Sequence, residues 1–241
     1  MVSSDHFERI YRERADDYDR LVGAEDAEGR LMPAIERAAP RLGRVLEVGA
    51  GTGRITRQLV ARGADVLAVE RSLSMLRVAR RHLPRTALVA ADAAALPVAS
   101  GWADAAIAGW VFGHQRSWNP DGWRASIGQC LDEMARALAP GGVSVVIETL
   151  GTGVETPSPS SALAEYHAWL EAERGFERML LRTDYLFASA DEAAALCGFF
   201  FRDAALVTGA RVPECTGLWW RAADQRRGRG LSNGSSEPSP T

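Results

Sequence analysis

Hydrophobic positions in this chain fall into short uninterrupted runs that are separated by longer stretches with helical periodicity. The runs predict five strands, at residues 44–48, 65–69, 86–90, 104–109 and 143–147. Between them, apolar residues recur three or four positions apart, which predicts helices, for example over residues 127–138. Because strands that alternate with helices usually form a parallel sheet covered on both faces, the pattern predicts a doubly wound α/β fold.

Both ends of the chain depart from this alternation. The first forty residues predict two helices, the second of which ends at Pro40. After the fifth strand, residues 151–161 are rich in Gly, Thr, Pro and Ser, which favours a long loop over a site. The remaining predicted elements are helices near residues 162–174 and 191–196 and strands near residues 200–207 and 218–221. The last two strands are expected to give the sheet an antiparallel edge.

The first predicted strand leads into a glycine turn and then into a helix. Gly49, Gly51 and Gly53 alternate with other residues, so the backbone there can approach a ligand closely, and the following helix offers unpaired N–H groups. The spacing differs from the G-x-G-x-x-G of dinucleotide sites, because position 54 is arginine. Glu47, inside the strand, would repel a pyrophosphate and suits a cationic group. The turn therefore predicts a nucleotide-like ligand other than a dinucleotide.

The strand and turn at residues 45–53, Val-Leu-Glu-Val-Gly-Ala-Gly-Thr-Gly, resemble the first motif of class I S-adenosylmethionine-dependent methyltransferases. Three further features occur in the order that this family shows: Glu70 at the end of the second strand, Asp92 just past the third, and Ala-Pro-Gly-Gly ending at Gly142 before the fifth. The similarity is strong over residues 40–150. It implies a Rossmann-like, mostly parallel seven-stranded sheet and S-adenosylmethionine as the cofactor.

Carried over position by position, the resemblance implies a set of cofactor contacts. The three glycines would leave room for the methionine part of the cofactor, and Glu47 would interact with its ammonium group. Glu70 would accept hydrogen bonds from the ribose hydroxyls. Asp92 would face the adenine amino group, and the backbone N–H of Ala93 would face a ring nitrogen.

The opening segment is weakly similar to a helix that many small-molecule members of the family fold over the cofactor. Tyr11 and Tyr18 lie in this segment, on one face of a predicted helix. The resemblance implies cofactor contacts for both, although packing in the core explains the same pattern.

Candidate acceptor residues follow the fourth and fifth strands, where open α/β sheets bind ligands. His114 is the candidate catalytic residue, since a pKa of about 6.5 suits removal of a proton from a ring N–H or a hydroxyl. A structural role fits it equally well, and methyl transfer depends on alignment more than on a base. The candidate substrate-binding residues are Trp110, Phe112, Trp118, Glu148, Tyr166 and His167. Core packing is the alternative for the aromatic ones.

Composition narrows the function classes. All 28 basic residues are arginine, so mechanisms that need a lysine amine, such as Schiff-base formation, are excluded. The formal net charge is −3 with both signs interspersed, which gives no reason to expect nucleic acid or an anionic membrane as a partner. No apolar run is long enough for a membrane span. Three widely spaced cysteines and four dispersed histidines predict reduced thiols in a cytoplasm and no metal site.

These observations divide the chain into five parts. We expect N-terminal helices covering the cofactor in residues 1–40, a cofactor-binding core in 41–149, a substrate cap in 150–190, the C-terminal part of the sheet in 191–221 and a disordered tail in 222–241. The tail is expected to be disordered because it consists of Arg, Gly, Ser and Pro without periodicity.

The leading hypothesis is a bacterial methyltransferase that acts on nitrogen or oxygen of a small, aromatic or heterocyclic specialised metabolite, as a monomer or homodimer. The inserted cap is its basis, because caps of this kind enclose compact acceptors. Two alternatives stay open. One is a methyltransferase acting on RNA or protein, favoured only by the Arg-Arg-Gly-Arg run of the tail, and the other is a non-catalytic cofactor-binding protein of the same fold.

Overall fold

The computed structural model describes residues 4–202 and 207–223. Its strands are β1 (Arg44–Val48), β2 (Asp65–Glu70), β3 (Ala87–Ala90), β4 (Ala103–Gly109), β5 (Leu138–Thr152), β6 (Glu177–Arg182), β7 (Tyr185–Leu186), β8 (Arg211–Val212) and β9 (Glu214–Ala222). Its helices are α1 (Ser4–Glu13), α2 (Ala15–Gly23), α3 (Leu31–Ala38), α4 (Arg54–Ala61), α5 (Leu73–His82), α6 (Gly113–Trp118), α7 (Trp123–Ala137), α8 (Ser161–Ala172) and α9 (Ala190–Phe201).

Seven of the strands form one central sheet in the order β3-β2-β1-β4-β5-β9-β6. The first five strands of the chain pair in parallel, and β9 runs antiparallel to both of its neighbours. The predicted fold is therefore confirmed, with the antiparallel strand one position in from the edge. Strand order reverses between β1 and β4, and open α/β sheets bind ligands in the crevice that such a reversal leaves at the carboxyl ends of the strands.

Helices cover both faces of the sheet, because successive strand residues point to opposite sides. Val45 packs on one face in a cluster with Leu59 of α4. Leu46, the next residue, packs on the other face with Ile127 of α7 and Leu170 of α8. These two clusters hold the strand ends, and the loops that leave them, in a fixed arrangement.

A third apolar cluster joins the two ends of the chain. Ile10 of α1 and Leu21 of α2 pack with Leu196 of α9. The cluster also contains Phe187, which follows β7, and Val212 of β8, and these two strands form a short separate ribbon. The N-terminal helices are therefore fastened to the C-terminal region as well as to the sheet.

Two predictions for the chain ends are wrong. The first forty residues form three helices, because Arg14 leaves the helical region (φ −128°, ψ 34°) and separates α1 from α2. The strand predicted at residues 200–207 is instead the end of α9 as far as residue 201, and residues 203–206 lie outside the described part of the chain. The buried positions Ala193, Leu196, Cys197 and Phe200 are spaced for a helix, which the aromatic run at its end obscured.

The segment expected to form one cap, residues 150–190, has more than one role. Its helix α8 packs on the sheet, whereas β6 is the edge strand of the sheet itself, paired with β9. Strand β6 was not predicted, because its half-exposed Glu-Arg-Met-Leu-Leu-Arg sequence lacks a long apolar run. Of the expected tail, residues 222 and 223 are described and the others lie outside the described residues.

Candidate functional site

The turn between β1 and α4 depends on glycine at three positions. Gly49, Gly51 and Gly53 have φ angles of +69°, +56° and +85°, in the left-handed region that favours glycine. A Cβ at Gly49 would lie 2.4 Å from Cγ2 of Val111, so that position also needs glycine for space. At Gly51 the nearest protein atom would be 3.8 Å away, on Tyr18, and the open space beyond belongs to a cavity.

Two carboxyl groups support this turn, the half-buried Glu70 and the buried Glu47. Glu70 ends β2, where its Oε2 accepts a hydrogen bond from Gly51 N at 3.0 Å and its Oε1 accepts one from Ser72 N at 2.7 Å. Burial raises the pKa of Glu70. Glu47 lies beneath the turn, where Thr56 donates to its Oε2 at 2.6 Å, and burial raises its pKa to about 7. Glu47 borders a small cavity of about 30 Å³ together with Gly49 and Gly51.

A first cavity of about 410 Å³ opens at the carboxyl ends of β1, β2 and β4. It brings together these predicted residues: Tyr11, Tyr18, Gly49, Gly51, Glu70, Asp92, Ala93, Trp110, His114 and Trp118. Asp92 is exposed, and its Oδ1 accepts a hydrogen bond from Ala94 N at 2.8 Å. Glycine backbone and Glu70 at one part of the cavity, and Asp92 with Ala93 at another, fit a nucleoside that carries an amino-acid chain.

A second cavity of about 320 Å³ adjoins the first. Both are lined by Tyr11, Tyr18, Trp110 and His114, so these four side chains form the boundary between them. The other walls of the second cavity come from helices α1, α2, α4 and α9, from strands β5, β7 and β9, and from the loop after β5. A molecule in the second cavity would therefore meet one in the first across this aromatic boundary.

Trp110 holds an unusual backbone conformation at this boundary. Its φ is +56°, a strained value for a bulky residue, and its N–H donates to the carbonyl of Ile147 at 2.7 Å. The guanidinium of Arg54 stacks over its ring at 4.0 Å and also donates to Glu25 at 2.5 Å. Such strain costs of order 1–3 kcal/mol and concentrates at functional sites.

His114 lies in an aromatic environment between the two cavities. Its ring stacks on Trp118 with centroids 5.3 Å apart and lies 4.3 Å from the ring of Phe7. Its Nε2 and the Tyr11 hydroxyl are 3.3 Å apart. Burial lowers the pKa of His114 to about 4, not the value of about 6.5 assumed from the sequence. The imidazole is therefore neutral near pH 7 and only weakly basic.

Glu148, near the end of β5, has a pKa closer to neutrality. Its Oε1 accepts hydrogen bonds from Phe112 N and Gly113 N, each at 3.0 Å, and from the Tyr166 hydroxyl at 3.4 Å. Burial raises the pKa of Glu148 to about 7, while the two backbone bonds act in the opposite direction. Glu148 lines the second cavity and can exchange a proton near pH 7.

Three predicted substrate residues lie outside both cavities. Phe112 is fully buried in the core, and only its backbone N–H contacts Glu148. Tyr166 is also fully buried and contributes its hydroxyl to Glu148. His167 packs against Trp219 at 4.5 Å, away from the site. Trp118, expected beside the substrate, lines the first cavity instead of the second. Gly53 shapes the turn without lining either large cavity.

Sequence reasoning missed several residues of the second cavity. Glu25, Arg54 and Glu214 line it, yet they come from α2's end, α4 and β9. None of them belongs to a recognisable motif. In the sequence, Arg54 indicates only that the turn departs from the dinucleotide pattern. A local sequence signal for this group does not exist.

Within residues 4–202 and 207–223, no group of three His, Cys, Asp or Glu side chains is placed to hold a metal ion. No helix in the same ranges is long and apolar enough to cross a membrane.

Comparison with known proteins agrees with this geometry. Residues 46–146 match the family model of a methyltransferase domain. The biotin biosynthesis bifunctional protein BioHC of Cellvibrio japonicus is 36% identical over 138 residues, 56% of this chain and 25% of that protein. The ribosomal RNA small subunit methyltransferase A of Anaeromyxobacter sp. strain K is 56% identical over 64 residues, 26% of this chain and 22% of that protein. The chain thus spans a quarter or less of the length of these relatives.

A solved structure shows the same fold over most of the chain. Haemonchus contortus phosphoethanolamine N-methyltransferase 2, in complex with S-adenosyl-L-methionine, matches with a TM-score of 0.59 and 16% identity, covering 93% of this chain and 61% of that one. The family match covers the glycine turn, Glu70 and Asp92, which the structure brings to one cavity. Residues 46–146 therefore carry a methyltransferase domain, in a chain that has the fold of an S-adenosylmethionine-dependent methyltransferase.

Proposed function

We propose that this protein transfers the methyl group of S-adenosylmethionine to nitrogen or oxygen of a compact specialised metabolite. The observation that carries the proposal is the pair of adjoining cavities that share Tyr11, Tyr18, Trp110 and His114. The first cavity would hold the cofactor and the second would hold the acceptor. An in-line displacement needs this arrangement, because the acceptor atom, the methyl carbon and the leaving sulfur must lie along one axis.

The size and walls of the second cavity support a small acceptor. Its volume of about 320 Å³ lies at the small end of the range for ligand sites. Phe7, Tyr185 and Phe200 give it aromatic walls, suited to a flat ring. The loop after β5 contributes Pro159 and Ser160 to the wall, which supports a role for this loop beside the acceptor.

Six residues are assigned to the cofactor. The backbone at Gly49 and Gly51 would lie against its methionine part, with Glu47 below. Glu70 retains lone pairs beyond its two backbone bonds and would accept hydrogen bonds from the ribose hydroxyls. Asp92 and the N–H of Ala93 would face the adenine.

The cofactor, when bound, supplies an electrophilic methyl group and its own leaving group. The chain's residues must exclude water, align the acceptor and accept a proton where the acceptor has one to lose. Glu148, with a pKa of about 7, suits proton transfer better than His114, with a pKa of about 4. We assign His114 to alignment, as a neutral hydrogen-bonding ring between the two cavities.

A second candidate function is methylation of RNA. It is favoured by the similarity to a ribosomal RNA methyltransferase, which extends over 64 residues only. It is opposed by the net charge of −3 and by the three buried glutamates that line the second cavity, neither of which suits a polyanion. We therefore propose a cytoplasmic enzyme, monomeric or homodimeric, with no nucleic-acid partner.

The test is a transfer assay with methyl-labelled cofactor against a library of amines, phenols and heterocycles. We expect label in a small-molecule product, and the same turnover in a variant that ends at residue 223. Label that appears only in RNA, or is lost on truncation, would support the second candidate. No S-adenosylhomocysteine with any acceptor, despite cofactor binding, would favour a non-catalytic protein.

A further inference from the structure

The second cavity carries an excess of buried carboxyl groups. Glu25, Glu148 and Glu214 line it, and each is less than one tenth exposed. Arg54 is the one guanidinium among its described lining residues, and it pairs with Glu25 at 2.5 Å. Glu148 and Glu214 are left with no ion pair to a described residue.

Each of these two carboxyl groups has one oxygen engaged and one without a hydrogen bond. All three bonds to Glu148 reach Oε1, and none from the described residues reaches Oε2. In Glu214, the Thr149 hydroxyl donates to Oε1 at 2.6 Å, while Oε2 is buried with no hydrogen-bond partner among the described residues. Because buried polar atoms are nearly always paired in proteins, the unpaired Oε2 of Glu214 indicates a donor that a ligand brings. The Oε2 of Glu148 offers a second acceptor in the same cavity.

The electrostatics select the charge of that ligand. Burial raises the pKa of Glu214 to about 8, and the nearby Glu25 adds to the effect. A cation in the cavity would stabilise both carboxylates, whereas an anion would add a further like charge in a site of low dielectric.

The two carboxyl groups come from adjoining strands. Glu148 of β5 pairs with Gly217 of β9, and Glu214 lies three residues from Gly217 on β9, so the two backbones are offset by roughly 10 Å along the strand direction. Glu148 is next to Gly113 and His114 at the boundary with the first cavity. Phe7, Tyr185 and Phe200 give the same cavity apolar walls.

Building on the proposed function, we propose that the acceptor is a small arylalkylamine that enters as a cation. Its ammonium group binds Glu148 beside the cofactor cavity, and a hydrogen-bond donor at its other end binds Glu214. Transfer then balances as follows: the ammonium proton passes to Glu148, the freed lone pair forms the nitrogen–methyl bond, and the electrons of the broken carbon–sulfur bond stay on sulfur.

Three probes of nearly equal shape test the charge selection: tyramine, tyrosol and 3-(4-hydroxyphenyl)propionate, which carry one positive, no and one negative charge. Their affinities are measured by calorimetry on the full chain saturated with S-adenosylhomocysteine. We expect tyramine to bind at least about tenfold more tightly than tyrosol, and the propionate to show no saturable binding. Binding of the propionate as tight as that of tyramine, or no binding of tyramine at millimolar concentration, would overturn the proposal.

Two isosteric variants locate the effect. Glu148→Gln should reduce the ratio of tyramine to tyrosol affinity about tenfold. Glu214→Gln should reduce the advantage of tyramine over 2-phenylethylamine, which lacks the phenolic hydroxyl, about fivefold. Glu173→Gln, at an exposed position after α8, is the matched control and should change neither ratio. Unchanged ratios in both cavity variants would contradict the assignment.

The two proposals can fail separately. Methylation of neutral acceptors, with no preference for tyramine, would overturn the amine proposal and leave the methyltransferase intact. Selective tyramine binding without methyl transfer to any amine would uphold the charge selection and count against the proposed enzyme.

Discussion

Replacing Glu70 by alanine tests the link between the glycine turn and the cofactor. The carboxylate accepts hydrogen bonds from Gly51 N at 3.0 Å and Ser72 N at 2.7 Å, and we assign its remaining lone pairs to the ribose. A hydrogen bond to a charged group contributes about 1.5–3 kcal/mol. We therefore expect Glu70→Ala to weaken S-adenosylhomocysteine binding by about 5- to 150-fold in calorimetry, allowing for partial replacement by water.

The same change should lower the melting temperature, because two backbone N–H groups lose their partner. At roughly 2–4 °C per kcal/mol for a chain of this size, a loss of about 1–2 kcal/mol would be visible in a thermal melt. Asp65→Ala, at the exposed opposite end of the same strand, is the control and should leave both affinity and melting temperature unchanged.

A ligand lacking one ribose hydroxyl separates direct contact from an effect on the turn. The wild type should bind the 2′-deoxy analogue of S-adenosylhomocysteine more weakly than the parent compound, and Glu70→Ala should bind the two almost equally. If Glu70→Ala discriminates between the two ligands as well as the wild type does, Glu70 does not touch the ribose and the reasoning is refuted.

Three further predictions follow from named contacts. Gly49→Ala should melt well below Gly63→Ala, because both have left-handed φ but only the first places a Cβ 2.4 Å from Val111; equal melting temperatures would contradict this. His114→Ala should raise KM more than it lowers kcat. Because the pKa of His114 is about 4, higher pH should not restore the rate of the variant. A loss of about 10²- to 10⁴-fold in kcat that high pH restores would instead identify His114 as the base. Neither ring nitrogen of the buried His167 has a hydrogen-bond partner among the described residues, and burial lowers the pKa of His167 to about 4, so its contribution to stability is lost as pH falls from about 6.5 toward 4. His167→Phe should therefore gain about 2 kcal/mol over wild type between pH 7 and pH 5 in denaturant titrations, and an unchanged difference would contradict it.

The sheet and the cofactor turn were predictable because their signals are local. A buried parallel strand shows as a continuous apolar run, and the left-handed conformations at Gly49, Gly51 and Gly53 require the residues that the sequence displays. Glu70 and Asp92 were found through the family resemblance, which places acidic residues at the ends of the second and third strands. These features were sufficient for the fold and for one wall of the first cavity.

The residues of the second cavity were not predictable in the same way. Glu25, Arg54 and Glu214 meet only through the packing of distant segments, and no spacing along the chain relates them. The aromatic positions were ambiguous because core and pocket use the same residue types. Phe112 is fully buried in the core, whereas Trp110 lines both cavities in a strained conformation that no sequence pattern reveals.

Burial also changed the chemistry inferred from residue type. His114 was assigned a pKa suited to a base, yet its aromatic surroundings lower that pKa to about 4. Glu148 was named only as a candidate substrate-binding residue, yet burial raises its pKa to about 7. Desolvation depends on the whole fold, so the sequence alone could not distribute these roles.

The most direct test of the account is a calorimetric titration of S-adenosylhomocysteine into the wild type and into Gly51→Val. A Cβ at position 51 has room within the protein, 3.8 Å from Tyr18, but extends toward the first cavity. Gly63→Val, which shares the left-handed φ in open space, controls for backbone strain. The account predicts saturable binding at one site in the wild type and in Gly63→Val, and none in Gly51→Val. Absence of binding in the wild type, or equal affinity in Gly51→Val, would contradict the placement of the cofactor on which the proposed methyl transfer depends.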